Sequence, residues 1–182
     1  MRSTKSYLCA TTILAAGLCA FGSAPASAQT STAQGTSRAN IVVPVQITKI
    51  ADLAFGSIVA PASGTGRVTI NARTGARTSN VNASPVGTGF SRGRFVVTGR
   101  PNTAVNLTVG SPTIQLTGPG APMVVDQLRV NRNNGGPGAL PRVYTIPASG
   151  TMNVGFGGRL TVPTGQAPGN YTGTFDLTVT YQ

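Results

Sequence analysis

Three aspartates, Asp52, Asp126 and Asp176, are the only acidic side chains in a sequence of 182 residues, and no two of them are close along the chain. Glutamate, histidine and tryptophan are absent, and both cysteines, Cys9 and Cys19, lie near the start. Ser-His-Asp and Cys-His nucleophile systems, His/Cys zinc sites and paired-glutamate glycosidase chemistry therefore have no residues to be built from. Scattered aspartates are also a poor beginning for a calcium cage, which gathers about six to eight oxygens. The expectation is a protein that is not an enzyme, holds no metal and needs no cofactor, with a binding or structural role.

The basic side chains are more numerous. Lys and Arg number 14 and the formal net charge is +11 at pH 7. Such an excess suits a polyanion. Beyond Arg2, the arginines are nevertheless spread from Arg38 to Arg159 without a dense run, and no set of aromatic residues accompanies them, so nucleic acid is not expected as a partner. Arg92, Arg94 and Arg100, with Phe90 and Phe95 nearby, form the one local cluster and are the candidate polyanion patch. Gly155-Phe156-Gly157-Gly158 has the glycine content of a phosphate-cradling loop but lacks the Lys-Ser/Thr tail, and reads instead as a turn or bulge between strands.

The elements that must position these residues are strands. Residues 1–28 have the three parts of a secretory signal in order: a basic start at Arg2 and Lys5, an apolar stretch from Tyr7 to Phe21, and the small-residue cleavage site Ala26-Ser27-Ala28. Cleavage after Ala28 would leave a chain without a thiol and without a run of the roughly 20 apolar residues that a membrane span needs. Residues 29–40 form a polar leader, expected to be flexible. From there on, apolar and polar residues alternate with period 2, and Gly, Pro, Asn, Ser and Thr interrupt them at short intervals.

Ile41, Val43, Val45 and Ile47 alternate with Val42, Pro44, Gln46 and Thr48, which predicts a strand with one apolar face, confined by Pro44 to an edge or a bulge. Further strands are expected at 53–59, 67–71, 94–98, 104–109, 113–116, 123–130, 143–146, 151–156, 159–162 and 171–181, with loops at 74–89 and 131–141. About nine to eleven short strands separated by turns predict an all-β sandwich over residues 41–182. Its last strand carries Tyr171, Phe175, Leu177, Val179 and Tyr181 on one face.

The segment Ala167 to Tyr181 (APGNYTGTFDLTVTY) resembles the C-terminal strand of the spore coat protein U domain and of archaic chaperone–usher pilins. Leu53-Ala54-Phe55-Gly56, Phe95-Val96-Val97-Thr98-Gly99 and Gly157-Gly158-Arg159-Leu160-Thr161-Val162 bring the chain nearer to a bacterial secreted family labelled only as a domain of unknown function. The resemblance implies an immunoglobulin-like, pilin-like sandwich that reaches the periplasm and then the cell surface. It also implies a domain one strand short, whose groove is filled first by a periplasmic chaperone, working with an outer-membrane usher, and then by the N-terminal strand of the next subunit. In that scheme Ile41, Val43, Val45 and Ile47 are the donor strand of a self-associating polymer, and Tyr171 to Tyr181 is a recognition strand. The disulfide usual in the spore coat branch has no counterpart after Ala28. Two functions follow as expectations: a structural subunit of a fimbria or surface coat, or a monomeric secreted module that binds a cell-envelope glycan or protein.

Overall fold

The computed structural model describes residues 30–133 and 135–182. The expected signal, residues 1–28, lies outside them. The chain divides into two units, 1–39 and 40–182. Of the first, residues 30–39 are exposed and have no regular secondary structure.

The second unit is all-β, with no helix among the described residues and therefore none long and apolar enough to cross a membrane. Thirteen strands follow in order: β1 (Gln46–Ala51), β2 (Ser57–Val59), β3 (Gly66–Ile70), β4 (Arg77–Ser79), β5 (Ser84–Val86), β6 (Gly93–Thr98), β7 (Ala104–Val109), β8 (Ile114–Leu116), β9 (Met123–Arg132), β10 (Gly138–Ala139), β11 (Arg142–Thr145), β12 (Thr151–Val162) and β13 (Leu177–Tyr181). A large sheet runs β1-β6-β12-β3-β4, with β9 on the other side of β12 and β8 and β10 paired to β9. A three-stranded sheet runs β11-β7-β13, and β2 pairs with β5.

The pattern of burial explains the architecture. Phe95 and Val97 of β6, Met152, Val154 and Phe156 of β12 and Val68 and Ile70 of β3 point inward from the large sheet. Val105 and Leu107 of β7 point inward from the small one, and all belong to a single hydrophobic cluster. Two sheets that share one apolar interior make a sandwich.

β12 is the organising strand. Thr151 to Phe156 pair with β6, Gly158 to Val162 pair with β3 along the same edge, and Val154 to Thr161 pair with β9 on the opposite edge. From the sequence, two strands at 151–156 and 159–162 with a turn or bulge at Gly155 to Gly158 are expected here. The chain instead runs straight through as one strand, and only the bulge is present, where the register against β9 shifts between Gly157 and Arg159.

The aspartates are used locally. Asp52 pairs with Lys49 at 2.8 Å, and Asp126 takes a bidentate pair of hydrogen bonds from Arg159 at 2.9 and 2.7 Å. At the small sheet, Arg142 and Arg132 lie over the Tyr144 ring, and burial pushes that phenol above its usual range although both cations act the other way.

Candidate functional site

The two ends of the folded unit meet at an open side of the sandwich. β1 is hydrogen-bonded to β6 alone and β13 to β7 alone, so each presents one free edge, and the two strands touch without pairing. Tyr181 ties the ends together. Its hydroxyl donates to the carbonyl of Val43 at 2.8 Å and accepts from the backbone N–H of Arg100 at 2.7 Å. Gly99 makes room for this, because a Cβ there would lie 2.7 Å from the Tyr181 hydroxyl and 2.8 Å from Ile146.

The strand expected at 41–47 is shifted by this arrangement. The strand starts at Gln46 rather than at residue 41, because its partner β6 ends at Thr98, opposite Gln46, and Pro44 has no N–H to offer a ladder. Ile47 pairs with Val97, and both Val45 and Ile47 pack on their own domain's core. Ile41 and Val43 remain outside the sheets, 95% and 57% exposed, with Val42 exposed between them.

The C-terminal set is likewise divided. Leu177, Val179 and Tyr181 alternate inward from β13 opposite Val109, Leu107 and Val105. Phe175 precedes the strand and stacks on Phe156, with ring centroids 4.4 Å apart. Tyr171 belongs to a separate turn, where its hydroxyl donates to the Ala167 carbonyl at 2.8 Å and accepts from Gly120 N–H at 2.9 Å. All five side chains are partly buried in their own domain.

Tyr181→Phe keeps the ring and removes both hydrogen bonds. Unfolding in urea should show a loss of about 1–2 kcal/mol, and the Arg100 amide should exchange faster with deuterated solvent. An unchanged Arg100 exchange rate would count against the tie.

The basic cluster is only partly assembled. Arg92 and Arg94 line a groove of about 500 Å³ on the outward side of β6 and β12, together with Ser149, Thr151, Asn153 and Asn133. Arg100 is not among its lining residues; it lies beyond the end of β6, and the chain turns at Gly99 before reaching it. Phe90 is also diverted, lying under the guanidinium of Arg77 at 4.4 Å, while Arg77 donates to the carbonyls of Phe55 and Gly87. Thr151 and Asn153 could have been found from the period of β12; Asn133 and Ser149 reach the groove only through the pairing of β9 and the turn before β12.

Fold and site together define an all-β sandwich domain whose first and last strands both lie at open sheet edges. The particular family is given by sequence comparison: residues 45–181 match the family described as Domain of unknown function (DUF4402), and the chain belongs to that family. The match begins at the first residue packed on the core, Val45, and ends at Tyr181, leaving Ile41 to Val43 outside it. No curated protein and no solved structure matched the chain.

Proposed function

We propose that this chain is an exported, non-enzymatic structural subunit of a bacterial fimbria or surface coat, and that it assembles by donor-strand exchange. The observation that carries the reading is the Ile41-Val42-Val43 segment, an apolar and exposed stretch outside both the sheets and the family match, placed just before a free-edged strand. With cleavage after Ala28, residues 29–43 extend up to roughly 50 Å, enough to reach a neighbouring molecule. Ile41 and Val43, which share one face of an extended chain, contribute about 3–6 kcal/mol before ordering costs if they enter a neighbour's groove. Strand addition at β1 or β13 would supply the backbone hydrogen bonds. The resemblance to the spore coat protein U domain and to archaic chaperone–usher pilins points the same way, and it makes a periplasmic chaperone and an outer-membrane usher the expected partners.

The double variant Ile41→Asp with Val43→Asp tests this, since both side chains are exposed in the single chain and their replacement leaves its core intact. The unsubstituted protein, isolated from the cell surface, should run as detergent-resistant ladders on an unheated gel; the variant should be exported and run as a monomer. Ladders that survive the double substitution, or a native protein that never forms them, would overturn the proposal. The second outcome is the one a monomeric binding module would give.

A further inference from the structure

We infer that the groove beside Arg94 is a binding site for an anionic carbohydrate, in which Arg94 holds the acid group of the sugar and the neighbouring amides and hydroxyls hold its ring hydroxyls. The groove's volume, about 500 Å³, lies in the range of small-ligand sites. Gly155 sits across the ladder from Arg94, and the gap left by its missing side chain admits the Ala72 carbonyl. Arg92 lies along this gap, its Cδ 3.5 Å from where a Cβ of Gly155 would stand, and its Nη1 donates to the Ala72 carbonyl at 3.2 Å. Arg92 is thereby held in place, with its other N–H groups still to be used.

The electrostatics of the groove are one-sided. Two guanidinium groups line it and no carboxylate does. Asp52 is engaged by Lys49 and Asp126 by Arg159, and among the described residues the Arg94 guanidinium donates to no protein acceptor. A planar fork of donors in this state matches a carboxylate or sulfate with two parallel hydrogen bonds.

The rest of the lining selects the class of ligand. Thr151 and Asn153 project from the outward positions of β12, and Ser149 and Asn133 stand beside them, so neutral donors and acceptors surround the cations. Hydroxyl-rich molecules use such groups. A nucleic acid strand wants an aromatic platform for its bases, and the one aromatic residue at the groove, Phe95, turns its ring into the core against Phe156 and Phe175.

The test is titration of the mature protein at about 0.15 M salt, where long-range attraction is screened beyond roughly 8 Å. The probes are a heparin-derived oligosaccharide, an oligogalacturonate, a neutral dextran oligosaccharide and a single-stranded DNA oligomer. Binding of one or both acidic sugars is expected, and the two arms decide between sulfate and carboxylate as the acid recognised. Arg94→Gln should weaken that binding about tenfold and Asn153→Ala by a smaller factor, whereas Arg67→Gln, the same charge loss on an exposed β3 residue outside the groove, should change it less than about twofold. Equal losses for Arg94→Gln and Arg67→Gln would mean that net charge alone is responsible and would overturn the site. So would DNA binding tighter than either sugar, equal binding of dextran, or no binding of the acidic sugars at millimolar concentration.

Discussion

Gly157→Ala and Gly155→Ala are each expected to cost the fold about 3 kcal/mol or more. Both glycines occupy the middle of β12, where the chain that leaves β3 crosses over the outward side of the sheet. A Cβ on Gly155 would stand 2.1 Å from the carbonyl oxygen of Ala72, and one on Gly157 would stand 2.3 Å from that of Ile70 and 2.7 Å from the Ala72 nitrogen. Both contacts are with backbone, which has no rotamer to escape into. The crossing segment is also braced by hydrogen bonds within its own turn. Asn71 Oδ1 accepts from the N–H groups of Arg73 and Thr74, at 2.8 and 3.1 Å, and the Asn71 backbone exchanges hydrogen bonds with Gly75 and Ala76. Ala72 itself is 2% exposed.

Added methyl groups in close-packed interiors cost about 1–3 kcal/mol when side chains can adjust. Here the adjustment must separate β12 from β3, so the expected loss is at or above the top of that range, against a total stability of roughly 5–15 kcal/mol. Gly110→Ala is the control, since nothing lies within 4 Å of a Cβ at that position. Urea unfolding followed by circular dichroism should show Gly110→Ala close to the unsubstituted protein and both β12 variants far below it. A Gly157→Ala protein of normal stability would show that the crossing is looser than described.

That crossing also marks the limit of what the sequence makes legible. Period-2 alternation places strands at 67–71, 94–98, 104–109, 113–116 and 123–130 within one or two residues of β3, β6, β7, β8 and β9, because each buries alternate residues in the shared core. β4, β5 and β10 lie in segments expected to be loops. Arg77-Thr78-Ser79 carries no apolar residue at all, and it becomes a strand only because Val68 to Ile70 offer it a ladder. Conversely, residues 53–59 look like one strand. Phe55 dives into the core after a single bridge between Ala54 and Ser91, and only Ser57 to Val59 pair further. The same holds for residues 171–181, where Thr172 bridges to Thr117 and regular pairing begins only at Leu177. Glycine content marks Gly155 to Gly158 as special, but glycine in a turn and glycine beneath a crossing chain look alike until the third strand is known.

The site was half legible for a similar reason. Arg92 and Arg94 flank Gly93 and so fall on one side of an extended chain, which local spacing reveals. Arg100 has the same parity as Arg94 along β6, yet the strand ends at Thr98 and parity means nothing past its end. The groove's amides come from Asn153 of β12 and from Asn133, just past the end of β9, and no local pattern encodes the register that brings them together. At the N-terminus, alternation from Ile41 to Ile47 is real, but the length of β6 decides which of these residues find a partner within the chain.

Phe156→Ala should produce the other large effect, a loss of about 3–5 kcal/mol, as expected for truncating a fully buried aromatic ring. Phe156 is 0% exposed and lies at the meeting point of the two sheets. Its ring is nearly parallel to that of Phe175, at 12° and 4.4 Å, and both rings meet Phe95 edge-on, at 6.4 and 6.1 Å. Phe95 and Phe156 belong to the large sheet, whereas Phe175 introduces β13 of the small one, so the trio fastens the C-terminal strand to the opposite layer. Phe175 is only partly buried, and Phe175→Ala should cost less, about 2 kcal/mol. Each single variant also removes the stacked pair, so the double variant should lose less than the two singles added together, by about 0.5–1.5 kcal/mol. Strict additivity would mean that the two rings pack without any specific interaction. Local effects distinguish the variants further. Phe156→Ala opens a cavity at the centre and lowers protection throughout β6 and β12, while Phe175→Ala frees the entry to β13 and should raise amide exchange first at Gly110, whose N–H donates to the Asp176 carbonyl, and at Thr108, opposite Thr178. Under the proposed assembly, a loosened β13 is also a more available edge. The Phe175→Ala subunit should then form ladders faster than the unsubstituted protein although each of its monomers is less stable.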